Sequence, residues 1–543
     1  MRKPMLGMAM TAMLLAAGLS ACGGSASESS AGSGKKAAAE SAANTEISET
    51  PEEKTEDNKK ESTAETAKKD ASAGAAAAMQ KKEQKELRKA PEHLSLHATR
   101  EWEELLNDAG ENIGGLNWTI LSVQDAEHPE LMKALEEYGK ETEEWKDAAK
   151  KDLKDYYDEF LAKREDYYDI SSAFQSAVPV RADDRVLSIM EFYSSYFDSH
   201  TEDHRRRGFC LDPATGREMP VSQVLESPEK AGAVIAEAIR KAYPDLRFDS
   251  DMEEKVTAFA KNPEPEEGFG FNLGYHELRI FVDDGILTSR IGGVDVPLSF
   301  ADYPDLVKEE YREIPEDYMY WVQCNEPYIL DETGRGFSME VVEDNPDEMY
   351  CRVQINAGEA SIFSTYMAEP DGYLVHVDGK DWLYMGVPTG DVSFPSEIFD
   401  LNGSEIPVPR NVETCVDYEY AGTDPAKAEF AFWDEDVMDI SRTVRPIGED
   451  GLPEGVSVRE MELPEFEDVC RMLEYNDAAK QYLDRGMSMR DDGTDEIRGA
   501  ECRIIALGTD SAEKFTAEVR FAVCSWDYIF EYNPLKDEWE QRY

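Results

Sequence analysis

Leu116-Asn117-Trp118-Thr119-Ile120-Leu121-Ser122-Val123, followed after four intervening residues by His128-Pro129-Glu130-Leu131, decides how this chain is read. The first eight residues are rich in apolar and β-branched side chains and stop at polar Gln124-Asp125, which is the pattern of a strand. His128-Pro129 then opens a helix. Leu131, Leu135, Tyr138, Thr142, Trp145, Ala149, Leu153, Tyr156 and Phe160 step by three or four residues, with Thr142 the one weak member, while Lys, Glu and Asp fill most other positions. That spacing lays one apolar stripe along a helix of about 30 residues and implies that it packs on a sheet.

The segments downstream extend the same unit. Ala173 to Arg181 and Arg185 to Phe197 alternate, a short strand is expected at Arg207 to Leu211, and Asp212-Pro213-Ala214-Thr215-Gly216 supplies the residues a turn needs. A second helix, Pro228 to Tyr243, puts Ala231, Val234, Ile235 and Ile239 on one face and ends before Pro244. After an acidic loop near Pro263 to Glu267 come strands at Phe269 to Leu273, Glu277 to Val282 and Val294 to Leu298. The fold class is therefore α+β, an antiparallel sheet packed by helices on one side, followed by a mainly β C-terminal domain. In that domain Tyr373 to Val377 and Trp382 to Val387 flank Asp378-Gly379, and Asn402-Gly403 marks a further hairpin. Only Pro464 to Asp484 reads as helical there, and the chain closes on strands at Cys502 to Leu507, Phe515 to Cys524 and Tyr528 to Tyr532. Upstream, Gln80 to Asn107 carries a charged helical pattern broken by Pro91, with Trp102, Leu105 and Leu106 as its apolar cluster, and suggests a loosely docked entry helix.

The N-terminus has a different character. Arg2 and Lys3, the apolar run Met5 to Leu19, and Leu19-Ser20-Ala21-Cys22 resemble the lipobox of bacterial lipoproteins. That resemblance implies a signal peptide over 1–22, a palmitate-type acyl anchor on Cys22, and a place on the extracellular face of the bacterial membrane. Fifteen apolar residues are too few to span a bilayer, which needs about 20. From 23 to 95 the chain is mostly Ala, Ser, Gly, Glu, Lys and Thr, too poor in apolar groups to offset the entropy of ordering, so it reads as a disordered linker. Such a tether reaches on the order of 45 Å. The folded part divides into an α+β module over 110–315 and a β-rich domain over 316–543.

The formal charge is −58, and loss of Arg2 and Lys3 with the signal would leave 55 basic against 115 acidic residues. Nucleic acid is excluded as a partner, since phosphate binding needs clustered Lys and Arg and the one dense run in the folded part is Arg205-Arg206-Arg207. A basic protein or divalent cations would be drawn in. Besides Cys22 there are Cys210, Cys324, Cys351, Cys415, Cys470, Cys502 and Cys524, an odd set with no Cys-x-x-Cys, so neither a zinc ribbon nor a thioredoxin-like motif is offered. Cys502 and Cys524 lie on two neighbouring strands and are candidates for a cross-strand disulfide.

Leu116 to Ser299 resembles the extracellular module of RsiV-type anti-sigma factors, which also precedes the catalytic domain of some peptidoglycan deacetylases. The stretches that carry it are Asn117 to Val123 with His128-Pro129-Glu130-Leu131; Arg181-Ala182-Asp183 before Val186-Leu187-Ser188-Ile189; Asp212 through Thr215-Gly216 before Val221 to Leu225; and Phe269 to Leu273 with Leu278-Arg279-Ile280-Phe281-Val282. The resemblance implies a surface-exposed binding or sensing module, which in RsiV recognises lysozyme. This chain departs from it in showing no cytoplasmic sigma-binding segment and no transmembrane helix. It also has Asp198-Ser199-His200-Thr201-Glu202-Asp203-His204 where the family has a Gly-Gly-x-His-like stretch. Lysozyme binding is therefore not carried over.

Catalytic patterns are thin. His200-x-x-x-His204 and Asp283-Asp284-Gly285 resemble pieces of the deacetylase metal site, but their order along the chain is reversed, so an exposed polar loop and a strand-ending turn are expected instead. The remaining histidines are His93, His97, His128, His276 and His376, and no Gly-x-Ser-x-Gly, His-Glu-x-x-His or Walker sequence occurs. Pairs such as Asp434 with Asp436 follow from 115 acidic residues, and Asp491-Asp492-Gly493-Thr494-Asp495-Glu496 lacks an EF-hand's full ligand spacing and reads as a solvated turn. Trp382, Tyr384, Trp526 and Tyr528 are expected in the core. No cofactor or metal is expected. The reading is a non-enzymatic, lipid-anchored surface protein that binds a basic extracellular protein or a cell-wall component. A hydrolase of wall polymers or polysaccharide, with a site assembled from distant residues, is the alternative.

Overall fold

The computed structural model describes residues 90–542 apart from short stretches at 124–126, 162–170, 198–199, 266–267, 289–292, 346–349, 368–369, 387–395, 413–414, 417–421, 435–438, 460 and 512–513. The lipobox with Cys22, most of the 23–95 linker and Asp436 lie outside the described residues. Pro91–Tyr543 belong to one unit.

Five strands, β1 (Leu96–Leu106), β2 (Asn112–Val123), β3 (Ser171–Ala182), β4 (Leu187–Phe197) and β5 (His200–Leu211), form a sheet in sequence order. Every neighbouring pair is antiparallel except β2 and β3, which run parallel because helix α1 (Pro129–Tyr156) carries the chain back between them. The stripe read from the sequence is the face that packs. Leu131 and Leu135 join Leu121, Val123, Leu187 and Phe209 in one cluster, and Ala149 and Leu153 join Ile113, Leu116 and Trp118 in another. Each such leucine contributes roughly 1.5–3 kcal/mol. Gly114 makes the parallel pairing possible, for a Cβ there would lie 2.7 Å from the carbonyl oxygen of Ser171.

The expected entry helix is a strand. Residues 96–106 pair with β2 along their whole length, from Leu96 opposite Val123 to Leu106 opposite Asn112. Ala98 and Leu105 point inward while Glu101, Trp102 and Glu104 are exposed, so the charges that suggested a helix decorate an edge strand instead.

Helices α2 (Val221–Val224), α3 (Pro228–Ala242) and α4 (Met252–Lys261) follow. They cover one face of a sheet of β6 (Phe269–Leu273), β7 (Glu277–Val282) and β8 (Val294–Ser299). Helix α4 was not foreseen; Met252, Val256, Phe259 and Ala260 form its buried face between acidic neighbours. Gly232 lets α3 and α4 touch, since a Cβ would sit 2.6 Å from the Cα of Thr257. The other face of this sheet meets the first at Gly208 and Gly270: a Cβ at Gly270 would lie 2.5 Å from the Gly208 carbonyl oxygen, and one at Gly208 would run into the Phe281 ring at 2.4 Å.

After α5 (Glu309–Arg312) the chain is mainly strand. It runs through β9 (Tyr318–Val322), β10 (Pro327–Ile329), β11 (Gly336–Asn345), β12 (Tyr350–Ala357), β13 (Ala360–Tyr366), β14 (Asp371–Val377), β15 (Lys380–Gly386), β16 (Ser396–Asp400) and β17 (Arg410–Val412). Next come β18 (Cys415–Val416), β19 (Glu429–Asp434), β20 (Asp439–Val444), β21 (Val458–Arg459), helices α6 (Phe466–Tyr475) and α7 (Asp477–Leu483), and a last sheet of β22 (Ser488–Ile497), β23 (Ala500–Asp510), β24 (Phe515–Val523), β25 (Ile529–Asn533) and β26 (Glu538–Arg542). A six-stranded sheet in the order β21-β17-β16-β15-β14-β9 is buried on both faces. Leu374, Leu383, Met385 and Phe399 face a core shared with β11, β12 and the last sheet, while Val375, Trp382, Tyr384 and Ile398 face another. Period-two alternation between two dry faces gives the continuous apolar runs of β14 and β15. The second of these cores also contains Val180, Met190, Phe192 and Phe281, so residues 110–315 and 316–543 are packed against each other through it.

The Asp378-Gly379 hairpin is present with both residues at positive φ, 52° and 72°, as a two-residue type I′ turn requires. Asn402-Gly403 is no hairpin. It lies in the connection after β16, where the Asn402 side chain accepts from the Asp381 N–H and donates to the Asp381 carbonyl, so the asparagine is used to tie this connection to the start of β15.

Candidate functional site

Charged and aromatic groups gather where the β6–β8 sheet joins the C-terminal strands. The β6–β7 turn presents Tyr275 and His276, and β9 presents Tyr318 and Tyr320 opposite them. Tyr318 is stacked between Tyr275, centroids 4.1 Å apart, and His376 of β14, 4.8 Å apart with rings nearly parallel. Its hydroxyl lies 2.6 Å from Nε2 of His276. On the far side His376 Nδ1 is 2.7 Å from Asp381, whose other oxygen accepts from Arg335.

Beside this stack runs an ion-pair network. Arg279 donates to Glu277 (2.8 Å) and Asp295 (3.1 Å), and Arg206 donates to Asp295 (2.6 Å), Glu326 (2.7 Å) and Gln323 (2.8 Å). Glu277 also accepts from the Ile329 N–H. Deeper still, Arg181 and Asp183 form a pair in which neither side chain is exposed at all. The Arg181 guanidinium donates onward to the carbonyls of Gly274, Tyr311 and Glu313, so one cation ties β3 to the β6–β7 turn and to the segment leading into β9. Asp183 in turn accepts from the N–H groups of Arg185 and Val186.

Tyr275, His276, Glu277, Arg279, Tyr320 and Tyr328 line a cavity of about 30 Å³ there, space for roughly a water molecule or two. Burial holds the Tyr318 and Tyr320 hydroxyls well above the usual tyrosine range, so both stay protonated at neutral pH. Burial, with help from the nearby His376, lowers His276 to about 4. The imidazole is therefore neutral near pH 7, able to accept a proton in principle but enclosed by rings. Because the unfolded chain binds this proton near pH 6.5 and the folded one only near 4, folding stability falls as pH drops through that window, by up to about 3 kcal/mol from this group. His276→Gln should remove that part of the slope. Urea unfolding of wild type and variant at pH 7, 5.5 and 4.5 measures it, and parallel curves for the two proteins would refute the assignment.

The residues singled out from the sequence are dispersed. His200 and His204 both lie in strand β5, opposite Phe197 and Ser194, and not in a loop. Strand residues four apart are separated by about 13 Å, against one turn in a helix, so the spacing that suggested a chelating pair does not produce one. Asp283-Asp284-Gly285 ends β7 as a turn, with Gly285 at φ +76°. Asp491 and Asp492 sit on a bulge of strand β22, not in a free turn, and pair with Arg503 and Arg520. No group of three or more His, Cys, Asp or Glu that could hold a metal occurs among the described residues. Arg206, read as part of a basic run, points inward to the network above, and Arg207 pairs with Glu218. Cys502 and Cys524 are joined in a disulfide across β23 and the end of β24. Trp382, Tyr384 and Tyr528 are in the core, but Trp526 is exposed.

No family model matches the sequence, and no curated protein does. Among solved structures, a member of the DUF3298 family from Bacteroides fragilis aligns with a TM-score of 0.30 and 12% identity, covering 41% of this chain and 98% of that chain. A DUF3298 family protein from Pseudomonas aeruginosa PAO1 aligns with a TM-score of 0.24 and 14% identity, covering 40% and 96%. No helix among the described residues is long and apolar enough to cross a membrane.

Proposed function

We propose that this chain is a binding protein, not an enzyme, held to the outer face of a bacterial membrane by acylated Cys22 and offering an acidic surface to a basic extracellular protein. The observation that carries this reading is where the charge resides. Residues 1–90 hold 14 Lys and Arg against 13 Asp and Glu, so the whole excess belongs to 91–543, with 43 against 102. It is densest over 316–460, where 32 acidic residues face 8 basic ones. The buried carboxylates of the junction are engaged by Arg181, Arg206 and Arg279, leaving the excess on the outside, where it repels polyanions and steers polycations. The RsiV-type resemblance of Leu116 to Ser299 is consistent with a surface-exposed binding role.

Steered association weakens with salt as the Debye length shrinks. Titrating the protein with cytochrome c, a compact basic probe, should give an affinity that drops about tenfold or more between about 50 mM and about 300 mM NaCl. Salt-independent affinity, or measurable turnover of purified cell-wall polymer, would turn the assignment towards a wall-binding protein or a hydrolase respectively.

A further inference from the structure

Two large aromatic side chains stand together in solvent at one end of the last sheet. Tyr475, the final residue of α6, is 77% exposed, and Trp526, in the β24–β25 turn, is 56% exposed. Their ring centroids are 6.2 Å apart at 52°. Both supports are rigid. Helix α6 is pinned by Val469, Met472 and Leu473, packed with Phe521, Val523 and Ile529. The turn is closed by the Cys524 N–H donating to Tyr528 and by Gln541 donating to the Asp527 carbonyl, beside the Cys502–Cys524 disulfide.

Exposed Trp and Tyr on fixed backbone are the side chains that most often dominate protein contacts, and the surroundings say which partner suits these two. Glu474 and Asp477 flank Tyr475 and are exposed. Burial first, and then the carboxylates of Glu474, Glu467 and Asp491, push the Cys470 thiol of the same helix upward, so α6 sits in a negative field that reaches from β22. Of the nearby cations, Arg471 is occupied by Asp468, Arg352, whose charge acts on Asp527 beside Trp526, is occupied by Glu343, and Lys480 lies on α7. Aromatic faces set among carboxylates attract a cation through the ring quadrupole and by direct charge.

We infer that Tyr475 and Trp526 form a two-ring contact for an arginine or lysine side chain of the basic protein partner. This inference rests on the acidic-surface reading above and adds to it a specific anchor. A neutral sugar ring could also stack on tryptophan, but it would gain nothing from the surrounding carboxylates.

The test uses the full chain, a short peptide of alternating arginine and glycine, the same peptide with citrulline for arginine, and chitotetraose. Wild type should bind the arginine peptide in a salt-dependent manner and ignore the other two. Trp526→Ala and Tyr475→Ala should each weaken the arginine peptide about fivefold to tenfold, with melting curves unchanged because both rings are exposed. Full affinity in both variants, with salt-dependent binding retained, would overturn the anchor and leave the acidic-surface reading standing. No binding of the arginine peptide by wild type would overturn both. Equal affinity for the citrulline peptide, or chitotetraose binding that needs Trp526, would overturn the cation in favour of a neutral ligand.

Discussion

Arg181→Met should lower the stability of the folded part by about 3–5 kcal/mol, the largest loss expected from any single substitution considered. The reason is what the guanidinium leaves behind. Asp183 is wholly buried and would lose its ion-pair partner, keeping donors in the N–H groups of Arg185 and Val186, while the carbonyls of Gly274, Tyr311 and Glu313 would lose theirs. Arg181→Lys should fail almost as badly, since a single ammonium cannot reach one carboxylate and three carbonyls held in a planar fork. Arg181→Met combined with Asp183→Asn should recover part of the loss, because the amide does not need a cation beside it and keeps an acceptor for the two N–H groups. Urea unfolding monitored by tryptophan fluorescence would decide it. A loss below about 1 kcal/mol for the single variant would mean that water replaces the arginine and that it does not tie β3 to the β6–β7 turn and the segment leading into β9.

Gly270→Val should cost about 2–3 kcal/mol for a steric reason. A Cβ at 270 would lie 2.5 Å from the carbonyl oxygen of Gly208, and a backbone atom in the middle of β5 cannot rotate away. Relief requires the β6–β8 sheet to lift off the first sheet, which would also draw Asn272 from the Ser188 hydroxyl and the Ile189 carbonyl it donates to. Gly139→Ala is the control. It lies in α1 with nothing within 4 Å of an added Cβ, so it should stabilise by about 0.5–1 kcal/mol. Comparison of melting temperatures tests both, and a neutral Gly270→Val would show that the two sheets are not in close contact at this point.

What could be read from the sequence follows how local the determining physics is. Helix α1 was legible because its whole packing face is written into one 3.6-residue stripe, and the Asp378-Gly379 hairpin because two positive φ angles restrict the residues allowed there. Strand β1 was not, since its partner β2 provides its hydrogen bonds and its own charged residues favour a helix in isolation. Helix α4 was missed because ten residues give too few turns for the stripe to stand out from Glu253, Glu254 and Lys255. The junction site was illegible for a different reason. Tyr275, His276, Tyr318 and His376 each look ordinary, and the contact between His276 and Tyr318 joins positions 42 apart. Arg181 and Asp183, by contrast, were noticed only as part of a family-like stretch; nothing local said that both side chains are buried.

The Cys502–Cys524 link closes the neck of the β23–β24 hairpin, 22 residues apart, with the Ser511 to Lys514 turn at the tip. Exposed tips of this kind are where proteases cut first. A single cut there would leave residues 515–543 covalently joined to the rest, so the nicked protein would migrate as one chain without reductant and as two with it. Against proteolysis, that covalent neck would convert a severing event into a scar, and would keep the strand that leads to Trp526 joined to its partner after the far end of the hairpin had been opened.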